Sequence, residues 1–249
     1  MEVPMNTVKI DRTGTSVRMI AHRGVSGLET ENTASAFVAA GNRSYFGIET
    51  DVHVTKDGRF IIHHDDSTGR VAGEDQDYVI EETDYGVLRA LVQKDKDGGE
   101  RTRKDLILPS LREYVRICRK YEKTAVLELK NRIQKNDIVR LVEEIRDEGW
   151  LDQTVFISFS YENMTDLRDL LPDAVLQFLT WKPADEELLS QLLPYRLDLD
   201  ILWSALTEEG LRLMHENGVK VNVWTVDGKD DAERLASWGV DYITSNILE

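Results

Sequence analysis

The sequence predicts an α/β protein with a TIM, or (β/α)8, barrel and a small insertion after the second strand. Eight segments rich in β-branched and aromatic residues alternate with seven segments whose apolar residues recur at helical spacing. The length of 249 residues matches the ~250 residues that such a barrel typically needs. An open doubly wound sheet is the alternative fold. It usually has fewer strands and a glycine-rich first turn of the form GxGxxG, which this sequence lacks.

The strand candidates are short, and the helix candidates lie between them. The predicted strands span residues 17–21, 46–52, 124–130, 154–159, 174–180, 200–205, 220–226 and 241–245. The predicted helices span residues 32–43, 110–121, 135–149, 162–171, 185–193, 207–218 and 229–239. Several of the helices begin at a capping Asn, Ser, Thr or Asp, and three end at Gly149, Gly218 and Gly239. No eighth helix is evident after the last strand.

One region interrupts this alternation. The segment TKDG at 55–58 predicts a hairpin turn that leads back through RFIIHHD at 59–65. Residues 66–109 then form a polar stretch that fits neither a barrel strand nor a barrel helix. Because a loop this long in a compact domain is usually functional, we expect a single domain over 1–249 with 66–109 as an inserted cap subdomain.

Composition excludes several classes of partner. The net charge of −15 argues against nucleic acid and against stable association with an anionic membrane, because both favour a basic surface. Cys118 is the single cysteine, which excludes an intrachain disulfide. The N-terminal residues lack the apolar stretch of a secretory signal, and no apolar run approaches ~18 residues. We therefore expect a cytoplasmic protein that acts on a small molecule, with a homo-oligomer left open.

Paired carboxylates predict a metal site at the ends of two strands. Glu49 and Asp51 stand two apart in one strand candidate, and Glu128 and Lys130 do so in the next. Residues two apart share a face, and inward residues at strand ends converge on the barrel mouth. Each carboxylate alone is compatible with a separate surface ion pair. Together they would repel one another unless one divalent cation, Mg²⁺ or Ca²⁺, were bound by their oxygen atoms.

Two histidines also follow strands. His22 comes directly after the first strand candidate, and His64 directly follows the apolar run 60–63, which ends at His63. Histidine titrates near neutral pH and therefore serves as a general acid or base. Since His63 and His64 point to opposite faces, only one of them can reach the site. A hydrogen-bonded core or surface residue is the alternative for any of these histidines taken alone.

Three further residues suit a phosphorylated substrate. The planar guanidinium of Arg23 can form bidentate hydrogen bonds with a phosphate, and Lys130 adds a positive charge. Trp224 ends a late strand, where its ring packs either against an apolar part of the substrate or in the core. We also expect Thr33 to cap the first helix, and Asn32 to do the same or to brace the loop that holds His22.

The motifs resemble the glycerophosphodiester phosphodiesterase family. The matching segments are HRG (22–24), ENT (31–33), AF (36–37), GIETDV (47–52), VTKDG (54–58), HD (64–65), LPSL (108–111), LELK (127–130) and VNVWTVD (221–227). They occur in the order typical of that family and extend from about Met19 to Ser245. Two positions depart from it, with Thr30 where the family often has Pro, and Ser245-Asn246 where it often has Thr-Asp near a Pro.

The resemblance implies a TIM barrel and metal-dependent hydrolysis of glycerophosphodiesters to sn-glycerol 3-phosphate and an alcohol. It implies that the metal is held by Glu49, Asp51 and Glu128. His22 and His64 would be the acid–base pair, His64 being chosen over His63 because it precedes Asp65. Arg23 would bind the phosphate with help from Lys130. The nucleophile is either the glycerol 2-hydroxyl, which gives a cyclic phosphate, or water supplied by the metal site.

Three other functions remain as alternatives. A lysophospholipase-D-like or phosphoinositide-type lipase would be expected to carry an interfacial patch, and the acidic charge and the absence of a basic amphipathic helix argue against it. A non-catalytic barrel that binds phosphodiesters would not need all three carboxylates and both histidines. A metal-dependent sugar isomerase or aldolase would use strand-end carboxylates, but would not need HRG and HD together.

Overall fold

A computed structural model describes residues 6–96, 98 and 102–249. Its strands are β1 (Arg18–Ala21), β2 (Gly47–Val54), β3 (Phe60–Ile62), β4 (Thr124–Leu129), β5 (Thr154–Ser158), β6 (Val175–Thr180), β7 (Asp198–Leu202), β8 (Val221–Trp224) and β9 (Tyr242–Ser245). All except β3 are parallel and follow one another around a ring, which closes because β1 pairs with both β2 and β9. The predicted eight-stranded TIM barrel is confirmed.

The helices surround this ring. They are α1 (Ala34–Gly41), α2 (Gly69–Ala72), α3 (Tyr85–Leu88), α4 (Leu111–Lys120), α5 (Lys135–Asp147), α6 (Tyr161–Leu170), α7 (Glu186–Leu192), α8 (Glu208–Glu216) and α9 (Lys229–Trp238). The seven longer ones correspond to the seven predicted helices. Helix α4 begins with a capping box, in which the Ser110 hydroxyl accepts from the Glu113 backbone and the Glu113 carboxylate accepts from the Ser110 backbone. In the described part of the chain, no helix has both the length and the apolar character needed to cross a bilayer.

The strands are buried on both faces, as a barrel requires. All six residues of β4 are buried, with Val126 inside the barrel among a small apolar cluster and Ala125 and Leu127 in the larger core under the helices. The interior cluster consists of Ile20, Val126, Val155, Ile157, Leu179 and Tyr242. Apolar side chains therefore fill the centre of the barrel, and polar inward-facing residues gather toward the carboxyl ends of the strands.

The bounds of β7 differ from the predicted ones at both ends. The sequence places a strand at 200–205, whereas β7 begins at Asp198 and residues 203–205 form a 3-10 turn. The apolar side chains of Trp203 and Ala205 continue the strand-like composition, but they pack against the core from this turn. Composition alone therefore extends the strand beyond the point where its ladder ends.

The predicted hairpin after β2 is present. The Thr55 amide donates to the Arg59 carbonyl at 2.8 Å, and β3 runs antiparallel to β2. The described residues of 66–109 contain α2, α3 and short 3-10 turns around a small apolar cluster of Ile61, Ile80, Leu88, Leu91 and Leu108. Residues 97 and 99–101 of the predicted insertion lie outside the described residues.

The insertion lies against the loop between β1 and α1. The Thr30 hydroxyl donates to the Lys94 carbonyl at 3.1 Å, and the Lys96 ammonium donates to the Ser26 carbonyl. Because this loop follows β1, these contacts place part of the insertion at the carboxyl end of the barrel. Its role as a cap stays a prediction.

Candidate active site

The strand ladder brings the three predicted metal-binding carboxylates together. Asp51 on β2 lies opposite Glu128 on β4 in the parallel register, and Glu49 lies two residues before Asp51. One oxygen from each of Glu49, Asp51 and Glu128 lies within 4.8 Å of the others, and all three side chains are buried. Asp51 Oδ1 is buried without a hydrogen-bond partner. An all-oxygen donor set in which one oxygen lacks a hydrogen bond fits a hard divalent cation.

The electrostatics of this carboxylate cluster also fit a cation. Burial and the nearby Asp51 raise the pKa of Glu49 well above its usual range. Burial and Asp51 also raise the pKa of Glu128, against the lowering effect of Lys130. Burial opposes the charged form of Asp51 too, but Lys130 and Arg23 hold its pKa below the ordinary value. The three groups cannot all stay ionised without more positive charge, which a cation would supply.

Two basic side chains border the carboxylates. Lys130 Nζ lies 2.8 Å from Glu128 Oε1 and 3.5 Å from Asp51 Oδ1. Arg23 Nε lies 3.6 Å from Asp51 Oδ2, and Arg23 Nη1 donates to Glu31 Oε1 at 2.9 Å. The Arg23 backbone adopts a positive φ of 52°, and its amide donates to Glu49 Oε2 at 2.7 Å. Arg23 is thus held to the carboxylate cluster by both backbone and side chain.

His22 is oriented by the residue that follows β9. Its Nδ1 lies 2.7 Å from Asn246 Oδ1, and its Nε2 lies 4.0 Å from Glu49 Oε2. The Asn246 side-chain amide donates to Asp227 Oδ2 at 2.6 Å. Since a carboxylate only accepts, the Asn246 nitrogen faces Asp227 and its oxygen faces His22. His22 therefore donates from Nδ1 and turns Nε2 toward the carboxylates. Burial, together with Arg23, lowers the pKa of His22 to about 4.

His64 reaches the same cavity from the end of the β2–β3 hairpin. Its Nδ1 lies 2.6 Å from Asp65 Oδ1. Burial lowers the pKa of His64, while Asp51 opposes the shift. His63 points away, and its Nε2 contacts the Ser67 carbonyl at 3.0 Å. The geometry is consistent with the expectation that His64, not His63, faces the site.

These side chains line one side of a cavity of about 100 Å³. His22, Arg23, Glu49, His64 and Glu128 form that side. The opposite side is lined by Ile157, Phe159, Leu179, Asp200, Trp224, Thr225 and Thr244. The cavity thus joins a charged half to a half that is mostly apolar or neutral.

Aromatic rings extend the apolar half. The Phe159 ring lies 5.7 Å from Trp224 and 5.1 Å from Trp181, centroid to centroid. Trp181 is 64% exposed. Trp224 lines the cavity, and its indole N–H donates to the Asp200 carbonyl at 3.3 Å. Its contact with a substrate stays a prediction. Phe159 and Trp181 were not predicted as site residues, although each directly follows a strand.

Asn32 and Thr33 have different roles in the structure. Thr33 caps α1 by accepting from the Ala36 amide at 3.3 Å. Asn32 donates to Asp51 Oδ2 at 2.8 Å and accepts from the Thr50 hydroxyl at 2.6 Å. The side chain of Asn32 thus holds a carboxylate of the site. Its backbone N–H also braces the loop by donating to the Arg23 carbonyl at 3.0 Å.

Sequence reasoning missed Asn246 as a site residue. In the sequence, Ser245-Asn246 was noted only as a departure from the family pattern. The contact between Asn246 and His22 places Asn246 beside a candidate catalytic residue. Its position directly after a strand was the available signal, as it was for His22 and His64.

The chain is similar to known proteins over most of its length. Residues 22–248 match the glycerophosphoryl diester phosphodiesterase family. The chain belongs to this family. A glycerophosphodiester phosphodiesterase of Caldanaerobacter subterraneus is 28% identical to it over 239 residues, which cover 93% of this chain and 94% of the relative.

Solved structures of family members share the fold. An Oleispira antarctica phosphodiesterase in complex with the product sn-glycerol-3-phosphate is 26% identical, with a TM-score of 0.82 over 92% of this chain and 93% of that one. A Parabacteroides distasonis glycerophosphodiester phosphodiesterase, 23% identical, matches with a TM-score of 0.76 over 93% of each chain. The second likeness concerns the fold alone.

Proposed function

We propose that this family member hydrolyses glycerophosphodiesters to sn-glycerol 3-phosphate and an alcohol, and that it needs one Mg²⁺ or Ca²⁺ ion to do so. The observation that carries the proposal is the cluster of three buried carboxylates, two of which line one cavity together with two histidines and an arginine. The product complex of the Oleispira antarctica relative supports the choice of product.

Glu49, Asp51 and Glu128 would hold the cation. When bound, it would supply positive charge to the phosphoryl oxygens as negative charge builds up on them. Arg23 binds a phosphate oxygen through its guanidinium, and Lys130 adds charge next to it. Both basic groups already lie beside the carboxylates, so the substrate phosphate meets a balanced set of charges rather than an acidic surface.

The two histidines move the protons. One imidazole removes the proton from the nucleophile, and the other gives a proton to the oxygen of the leaving alcohol. The nucleophile is either the glycerol 2-hydroxyl or water. The first route passes through a cyclic phosphate that water then opens. Trp224 packs against the alcohol that leaves.

A lysolipid is the second candidate substrate class. The specific observation in its favour is the aromatic surface of Phe159, Trp181 and Trp224, which runs outward from the cavity. The acyl chain of a lysolipid, which stays with the phosphate product, would cover rings that a glycerophosphodiester without an acyl chain leaves in water. The reaction and the site residues would be the same for both substrates.

The test is the release of sn-glycerol 3-phosphate from glycerophosphocholine. We expect release that is lost in EDTA and restored by Mg²⁺ or Ca²⁺, and no restoration for Glu128→Gln, because that variant lacks one anionic ligand. A parallel reaction with lysophosphatidylcholine, followed through choline and lysophosphatidic acid, tests the second substrate class. No metal-restored release from either substrate or from other glycerophosphodiesters would contradict the proposal.

A further inference from the structure

Arg70 joins two carboxylates at the edge of the site. It lies in α2, at the start of the insertion. Its Nε and Nη2 donate to the two oxygens of Asp65 at 2.5 and 3.2 Å. Its Nη1 and Nη2 donate to the two oxygens of Glu31 at 2.9 and 2.7 Å. One guanidinium thus makes two bidentate pairs, which restrict the orientation of both carboxylates.

Each of these carboxylates also holds a group that we place in the site. Glu31 Oε1 accepts from Arg23 Nη1 at 2.9 Å. Asp65 Oδ1 lies 2.6 Å from His64 Nδ1. A continuous chain of hydrogen-bonded contacts therefore runs from Arg23 through Glu31, Arg70 and Asp65 to His64. Its two ends belong to different loops, one after β1 and one after β3.

We propose that Arg70 is a positioning residue that sets the spacing between the Arg23 guanidinium and the His64 imidazole. This inference rests on the proposed function, which gives those two groups their roles. Arg70 does not line the cavity, so it acts through Glu31 and Asp65 and not on the substrate itself.

The value of Arg70 lies in geometry more than in stability. Its side chain is 49% exposed, and those of Glu31 and Asp65 are 22% and 28% exposed. Ion pairs this accessible to water add little to the free energy of unfolding. Misplacement of a reacting group by about 1 Å can nevertheless cost about a hundredfold in rate. A lysine cannot replace Arg70, because a single ammonium cannot make two planar bidentate pairs.

The test compares Arg70→Ala and Arg70→Lys with a control, Arg112→Ala. Arg112, on α4, also pairs with several carboxylates, including Glu144 on α5 and Glu148 directly after α5, the latter at 2.9 Å. None of these three residues lines the cavity. We expect Arg70→Ala to lower kcat by roughly a hundredfold and to raise KM. Arg70→Lys should recover only part of the loss, and added guanidinium ion should partly restore Arg70→Ala. Arg112→Ala should keep wild-type kinetics.

Hydrogen exchange gives a readout that needs no substrate. In Arg70→Ala, we expect faster exchange in residues 22–33 and 63–70 and no change elsewhere, whereas Arg112→Ala should leave both segments unchanged. Wild-type values of kcat and KM in Arg70→Ala would overturn the proposal. A lower kcat with unchanged KM and faster exchange throughout the protein would also overturn it, because that combination indicates partial unfolding. If wild-type protein released no product, faster exchange confined to both segments would support the positioning by Arg70 and refute only the proposed function, whereas unchanged exchange would overturn both.

Discussion

His22 and His64 face one cavity but have chemically different partners. His22 is held by the neutral amide of Asn246, and His64 by the carboxylate of Asp65. A carboxylate stabilises a protonated imidazole more strongly than an amide oxygen does. The two histidines are therefore not equivalent, although the sequence presents both in the same way, at the end of a strand.

We expect His22→Ala and His64→Ala to leave the fold intact and to remove most of the turnover. The loss should be about 10²–10⁴-fold in kcat, the usual contribution of a positioned acid or base. Circular dichroism and thermal unfolding check the fold, and release of sn-glycerol 3-phosphate measures turnover. His215→Ala is the control, because His215 lies on α8 and pairs with Asp241. A kcat near the wild-type value in either site variant would remove that residue from the proposed pair.

His63 should make the fold sensitive to mild acid. Burial lowers the pKa of His63 from 6.5 to about 4, so the folded state binds fewer protons than the unfolded state between those values. The contribution of His63 to the free energy of unfolding should therefore be fully present above about pH 6.5. It should decrease as the pH drops toward about 4, because the unfolded state then binds the additional proton.

The variant His63→Gln isolates this effect, since Gln can still donate to the Ser67 carbonyl. Urea unfolding at about pH 7 and about pH 5 should show a larger loss for the wild type than for the variant, by of order 1–2 kcal/mol. His22 also has a lowered pKa, but its contribution to the loss of unfolding free energy is the same in both proteins and cancels in the comparison. An equal loss in both would show that His63 does not titrate on unfolding in this range.

Residue spacing predicts contacts within strands and fails for contacts between distant loops. Glu49 and Asp51 could be placed on one face because strand parity is strict. The pairing of His22 with Asn246 spans 224 positions, and no local pattern carries it. The same holds for Arg70, which appears in the sequence as one basic residue in a polar stretch.

At the scale of elements, alternation of apolar composition predicted every barrel strand and every longer helix. The prediction works because barrel strands are buried on both faces while the helices bury one. It fails for residues 66–109, where isolated apolar residues such as Ile80, Leu88 and Leu91 pack from short turns. These turns are too brief to establish a periodicity.

The loop after β1 depends on Gly24. It has φ of +76°, and an added Cβ would lie 2.6 Å from the backbone carbon of Ala36 in α1. We expect Gly24→Ala to destabilise the protein by more than the ~1 kcal/mol expected from an unfavourable φ alone, and to lower turnover because Arg23 precedes it. Denaturant unfolding gives the free energy.

Two alanine variants separate the causes. Gly218 has φ of +76° with open space around it, and Gly86 in α3 has open space and no positive φ. The expected order of destabilisation is Gly24→Ala, then Gly218→Ala, with Gly86→Ala neutral or slightly stabilising. Equal effects at Gly24 and Gly218 would mean that α1 yields to the added methyl group without cost.

At the scale of the whole molecule, the net charge of −15 acts against the compact state through self-repulsion. With EDTA present, added salt should screen that repulsion and raise Tm. A gain of about 1 kcal/mol corresponds to roughly 2–4 °C for a chain of this size. NaCl and KCl should act equally at equal ionic strength. A falling Tm would show that screening of favourable ion pairs outweighs the relief of repulsion.

The two halves of the ring carry different kinds of side chain. Most of the acidic and basic groups at the cavity come from β1, β2, β4 and the loops beside them, whereas β5 to β9 supply Phe159, Leu179, Trp224, the neutral Thr244 and a single carboxyl group, that of Asp200. The two halves are in contact where Asn246, which follows β9, accepts a hydrogen bond from His22, which follows β1. Under the proposed function, evolution can therefore exchange one leaving alcohol for another by altering the later strands, while the earlier strands keep the phosphate chemistry unchanged.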